Sequence, residues 1–125
     1  MSFELRHHRR FVADHYHDLP GFQEDRHGHN WEVEAGARLA EEGQEGAFVA
    51  ALDAWVRGID YTLLNDQAWL AGRNPTAELL AQWAAEHLQA AGFDVTTVKV
   101  REKANYWALY APAPSSAPGC RPPGL

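Results

Sequence analysis

Two stretches between Phe3 and Leu39 alternate with a period of two, and no other feature narrows the fold as far. In the first, the odd positions run Phe3, Leu5, His7, Arg9, Phe11, Ala13, His15 and His17, with mostly charged residues between them. The alternation resumes at His27, with His29, Trp31, Val33, Ala35, Ala37 and Leu39 on one face and Asn30, Glu32, Glu34 and Arg38 on the other. Side chains alternate sides along a strand, so each run predicts a long strand with one buried face. The pair is expected to lie antiparallel across a loop, "YHDLPGFQEDR" (16–26), marked by its acids, Pro20 and Gly21.

The period then changes. After "EEGQEG" (41–46), Phe48, Leu52, Trp55, Val56 and Ile59 fall at helical spacing and predict an amphipathic helix. "NPTAELLAQWAAEHLQAAG" (74–92) predicts a second, with Asn74 as N-cap, Pro75 in the first turn, Glu78 at the positive end of the dipole and Gly92 at the stop. Its buried stripe is expected to be Leu79, Leu80, Trp83, Ala84, Leu88 and Ala91, with His87 as a packing residue. "DVTTVKVRE" and "NYWALYA" add two strands joined by a tight turn. The order β-β-α-α-β-β predicts an α+β fold, a four-stranded antiparallel sheet with two helices on one face. Its open edges invite pairing with a neighbouring copy.

The chain has 125 residues, enough for one core. A single domain is expected over 1–111, with 112–125, "PAPSSAPGCRPPGL", as a Pro-rich disordered tail. A net charge of −6 argues against nucleic acid or an anionic membrane as partner. No apolar run approaches spanning length, and Cys120 has no internal cysteine to pair with, so a cytoplasmic location is the expectation.

Histidine is the compositional oddity. Six of the seven, His7, His8, His15, His17, His27 and His29, lie in the first quarter of the chain. His7 and His8 beside Arg9 and Arg10 read as a solvated strand face. His27 and His29 are i and i+2 on one strand, so they share a face, and His15 ends the first strand on its apolar face. Pairing of the two strands brings three imidazoles to one point, the donor set of a catalytic Zn²⁺ with its fourth position open.

"FVADH", "HGHN", "GIDYTLLN", "NPTAE" and "VRE", in that order, resemble the 6-pyruvoyltetrahydropterin and 6-carboxytetrahydropterin synthase family from Phe11 to Tyr110. The resemblance implies the tunnelling fold, in which trimers of this unit close into a barrel and usually pair as a hexamer. It implies Zn²⁺ held by His15, His27 and His29, a small-molecule pterin as partner, Glu102 as the carboxylate that anchors it, and Thr76 near the pterin ring. A carboxylate suits that anchoring because it accepts two parallel hydrogen bonds from a guanidine-like N–H edge.

Two positions depart from the family pattern. The synthases carry a general-base cysteine shortly before "HGH"; here the stretch is "FQEDRHGH", with Gln23 nearest that position. An Asp-His pair becomes Asp60-Tyr61, and a phenol at neutral pH is a proton or hydrogen-bond donor rather than a base. One branch of the family uses a glutamate in place of the cysteine and cleaves the dihydroneopterin side chain; Glu24 holds that place in "EDRHGH". The resemblance therefore implies a zinc-dependent lyase acting on the side chain of 7,8-dihydroneopterin or its triphosphate, with Glu24, Asp60 and Tyr61 as its catalytic groups. The alternative is a non-catalytic pterin-binding homologue that keeps fold and metal without turnover.

Overall fold

The computed structural model describes residues 3–113. The Pro-rich tail from residue 114 onward, with Cys120, lies outside them. Strands β1 (Phe3–Leu19) and β2 (Phe22–Leu39), helix α1 (Glu45–Ile59), strand β3 (Thr62–Leu63), helix α2 (Ala77–Ala90) and strands β4 (Asp94–Lys103) and β5 (Tyr106–Tyr110) follow in sequence. The strands form one sheet in the order β3-β1-β2-β4-β5. Neighbours are antiparallel except the parallel β1–β3 pair, so the sheet is five-stranded and mixed rather than four-stranded and antiparallel. β3 has only two residues, too short for periodicity to reveal.

The predicted loop 16–26 is also corrected: β1 and β2 are one continuous hairpin, paired down to Leu19 opposite Phe22. Pro20 and Gly21 alone make the turn. Gly21 has φ +78°, as the second central residue of a type II turn requires, and proline suits the first. Acidic and polar residues fill this part of the hairpin because the helices do not cover it.

Above the hairpin tip, Phe11, Ala13, Trp31, Val33, Ala35 and Ala37 of the inner face meet Phe48, Leu52 and Ile59 of α1 and Leu80, Ala84 and Leu88 of α2 in a single core. Trp55 stands edge-on to Phe11 at 5.7 Å and to Trp83 at 5.4 Å, tying the two helices to the sheet. In the predicted α2 stripe, Leu79 and Trp83 are half-buried, and Ala91, at the C-cap, is exposed. His87 Nε2 lies 3.0 Å from the Ala51 carbonyl, which only accepts, so Nε2–H is the donor in a packing contact between the two helices.

The start of α2 differs by two residues from the expected one. Thr76, not Asn74, is the N-cap, its hydroxyl accepting from Leu79 N at 3.2 Å. Asn74 Oδ1 instead accepts from Asp18 N at 2.9 Å, clamping the hairpin to the turn before the helix. Asn65 does the same at Tyr16, accepting from its N at 3.0 Å and donating to its O at 3.1 Å. These two asparagines satisfy strand-edge backbone groups that β3 is too short to reach.

Candidate metal centre

Three imidazoles converge where the core ends and the hairpin tip begins. His15 faces His27 across β1–β2, and Ala13 faces His29, so the three share the inner face. One ring nitrogen from each lies within 4.8 Å of the others. His15 is fully buried, and the His29 side chain is 18% exposed.

The backbone fixes two of the tautomers. His15 Nδ1 lies 3.2 Å from the Pro75 carbonyl and His27 Nδ1 lies 2.7 Å from the Asp25 carbonyl. A carbonyl only accepts, so both Nδ1 atoms carry the proton and donate. In its neutral form each ring presents a lone pair at Nε2, and those two Nε2 atoms face each other at 3.1 Å. Facing lone pairs repel unless a cation sits between them. His29 Nε2 is buried with no hydrogen-bond partner; Glu102 Oε2 is 3.3 Å away but misaligned for one. Burial lowers the pKa of His15 and of His29 from the ordinary 6.5, outweighing the attraction of Glu102, and so favours the neutral rings a metal requires. Three convergent ring nitrogens, with His15 and His27 oriented by backbone carbonyls, make a donor set that could hold a metal ion.

Two carboxylates border the cluster. Glu102, near the end of β4 with its side chain 11% exposed, lies 3.3 Å from His29 Nε2 and 4.0 Å from His15 Nε2. Glu24, on β2, lies 3.2 Å from His17 Nδ1 and 3.6 Å from His27 Nε2.

A protein-family model described as 6-pyruvoyl tetrahydropterin synthase matches residues 4–113. The chain belongs to this family. Solved structures agree on the fold of this synthase-family chain at low identity. The Caenorhabditis elegans 6-pyruvoyl tetrahydropterin synthase shares 14% identity at a TM-score of 0.75, covering 90% of this chain and 97% of that one. The Plasmodium vivax enzyme gives 14% and 0.64, covering 88% and 97%. A further P. vivax synthase structure, in which a glutamate described as its catalytic residue is replaced by cysteine, gives 14% and 0.61, with the same coverage. No curated protein matches the sequence.

Asp60 and Tyr61 are not drawn into the cluster by this chain alone. Asp60 Oδ1 accepts from Val12 N at 2.8 Å, and Tyr61 N donates to Val12 O. Tyr61, with φ +59°, points its ring outward at 81% exposure, beside a groove of about 470 Å³ lined also by Arg10, Asn30 and Glu32. Thr76 uses its hydroxyl as the α2 cap. The carbonyls of Asp25 and Pro75 lay beyond sequence reading, because their role depends on where the backbone passes and not on side-chain type.

Proposed function

We propose that this chain is a metal-dependent lyase acting on the side chain of 7,8-dihydroneopterin or its triphosphate, with Zn²⁺ held by His15, His27 and His29. What supports the reading is the set of Nε2 atoms: two facing each other as lone pairs at 3.1 Å, the third buried without a partner. When bound there, zinc acidifies side-chain hydroxyls that reach it. Glu24, 3.6 Å from His27 Nε2 and so beside the ligand set, is the base that takes the released proton. Glu102 accepts the N–H edge of the pterin ring, and its position against His29 keeps the side chain of a ring held there near the histidines. Thr76 borders the ring.

Asp60 and Tyr61 enter the site from a neighbouring copy. β1 is paired on its outer edge only at Ala13 and Asp14, and β5, at the other end of the sheet, carries Trp107 and Leu109 at 53% and 59% exposure. Two open edges on one sheet suit closure into a ring of copies, and a trimer-based assembly, a hexamer, is the proposed form.

The test is turnover of dihydroneopterin and of its triphosphate, following glycolaldehyde, acetaldehyde and the pterin products. Glycolaldehyde release supports carbon–carbon cleavage with a glutamate base. Glu24→Gln should then lose about 10²–10⁴-fold in rate at unchanged zinc content, while Asp25→Asn and Gln23→Ala stay near the parent. A parent that binds pterin but turns over neither compound replaces this reading with a non-catalytic pterin-binding protein. Retention of full rate in Glu24→Gln removes Glu24 as the base.

A further inference from the structure

Glu102, the carboxylate nearest His29, stands on a stretch of β4 that neither neighbouring strand supports. The β2–β4 register ends at Glu32 opposite Arg101, one residue short of it. On the other side, β5 passes from Trp107 opposite Arg101 to Tyr106 opposite Lys103, so Glu102 and Lys103 together stand across from Tyr106. Such a bulge leaves its extra residue without a ladder partner. Tyr106 shares the inner face of β5 with Ala108 and Tyr110, which pack against the core. There it reaches the first turn of α2, where its hydroxyl donates to Glu78 Oε1. The bond needs a protonated phenol and an ionised acid, and both conditions hold. The Glu78 contact, and then burial, push the Tyr106 pKa up to about 12. The Tyr106 hydroxyl, ahead of the Glu78 amide and the Thr76 hydroxyl, holds Glu78 below the ordinary 4.5 against the opposing effect of burial. Arg101 braces the turn itself, donating to the Ala104 carbonyl at 3.1 Å. The hairpin end that carries Glu102 is thus strapped to the helix start that carries Thr76.

From this arrangement we infer that Tyr106 is a positioning residue for Glu102, fixing the unpaired stretch of β4 against the start of α2 through its bond to Glu78. The inference rests on Glu102 being the carboxylate that accepts the pterin N–H edge. Two parallel hydrogen bonds to one ring edge demand that the carboxylate keep both its distance and its plane. Burial of the Glu102 side chain limits its rotamers but not the travel of the backbone beneath it. Tyr106 restrains that travel, and it needs no contact of its own with the ring. The strap lies at the surface, with Tyr106 39% exposed and Glu78 exposed, so water competes for both groups and the effect on the site is a matter of a few-fold.

The experiment pairs ligand binding with a spectroscopic readout on Glu102 that needs no pterin. In zinc-loaded protein, Tyr106→Phe should weaken binding of neopterin, a stable oxidised pterin, by about 3–10-fold at unchanged zinc affinity. Tyr110→Phe, the same loss of a hydroxyl on the same face of β5, should leave neopterin binding at the parent value. In a Glu78→Ala background, Tyr106→Phe should cost nothing further. With glutamate carboxyls labelled with ¹³C and no pterin present, Tyr106→Phe should move the Glu102 resonance, identified by its disappearance in Glu102→Gln. The change should exceed any at Glu41, beyond the far end of β2. An unmoved Glu102 resonance, an equal loss in Tyr110→Phe, loss of zinc in Tyr106→Phe, or a full Tyr106→Phe penalty in the Glu78→Ala background overturns the inference. So does parent-like neopterin binding in Tyr106→Phe where Glu102→Gln has lost it. If Glu102→Gln binds neopterin as the parent does while Tyr106→Phe moves the Glu102 resonance, the pterin-anchor reading fails and the positioning of Glu102 stands.

Discussion

His29→Leu separates what the histidine cluster costs the fold from what it does for a metal. His29 Nε2 is buried with no hydrogen-bond partner, and its ring packs among His15, His27 and Trp31 at centroid distances of 4.9, 4.6 and 5.6 Å. A polar atom stranded in this way costs roughly 1–3 kcal/mol, and leucine fills a similar volume without one. Without metal, the variant should therefore be more stable than the parent by about 1–2 kcal/mol. At roughly 4 °C per kcal/mol for a chain of this size, that is a Tm higher by about 4–8 °C. Zinc at a hundred times its Kd should stabilise the parent by about 2.7 kcal/mol, or about 11 °C, and do little for a variant short of one ligand. The ranking of the two proteins thus reverses between chelator and zinc. Thermal melts by circular dichroism or calorimetry in both conditions read this directly. A variant that melts below the parent in chelator refutes the premise that the buried nitrogen is a liability. Equal stabilisation of both by zinc refutes His29 as a ligand.

Acidification should weaken the metal-free fold in a defined direction. His15 and His29 have folded-state pKa values below 6.5, so the unfolded chain binds the more protons as pH falls past 6.5, and stability present above that value is progressively lost below it. Chemical denaturation across pH 5–8 checks this, and stability that rises on acidification through 6.5 contradicts the buried, neutral assignment. Thr76→Ala should cost about 1 kcal/mol through the lost N-cap, read as a lower denaturation midpoint at unchanged slope. Sedimentation should find a multiple of three chains; a stable monomer would leave Asp60 and Tyr61 with no route to the histidines.

The sequence was most legible where burial differs sharply between the two faces of an element. Phe11, Ala13, Trp31 and Val33 are buried while their neighbours Arg10, Asp14, Asn30, Glu32 and Glu34 are polar, because helices cover one side of β1–β2 only, and that contrast is what period-two reading detects. Below His15 the contrast fades: Tyr16, Asp18 and Leu19 are all exposed, so the extended hairpin reads as a loop. The cap was ambiguous in the letters themselves, since Asn74 and Thr76 flank Pro75 and both suit an N-cap; the hairpin's need for a partner at Asp18 N drew Asn74 away. The convergence of His15, His27 and His29 was legible from spacing and resemblance together. The meeting of His17 with Glu24 was not, because one extra residue at a bulge in β2 shifts every later pairing by one position.

The carbonyls of Pro75 and Asp25 carry a consequence for how such a centre diverges. Side chains that orient metal ligands are exposed to mutation, and each replacement there tends to weaken the site. A carbonyl oxygen belongs to every residue type, so exchanging Asp25 for another side chain leaves the oxygen that receives His27 Nδ1 in place. The orienting layer around His15 and His27 is thus inherited with the path of the chain and not with its letters. Sequences can drift far around these histidines while their tautomers stay fixed, and position-by-position comparison will miss the groups that fix them.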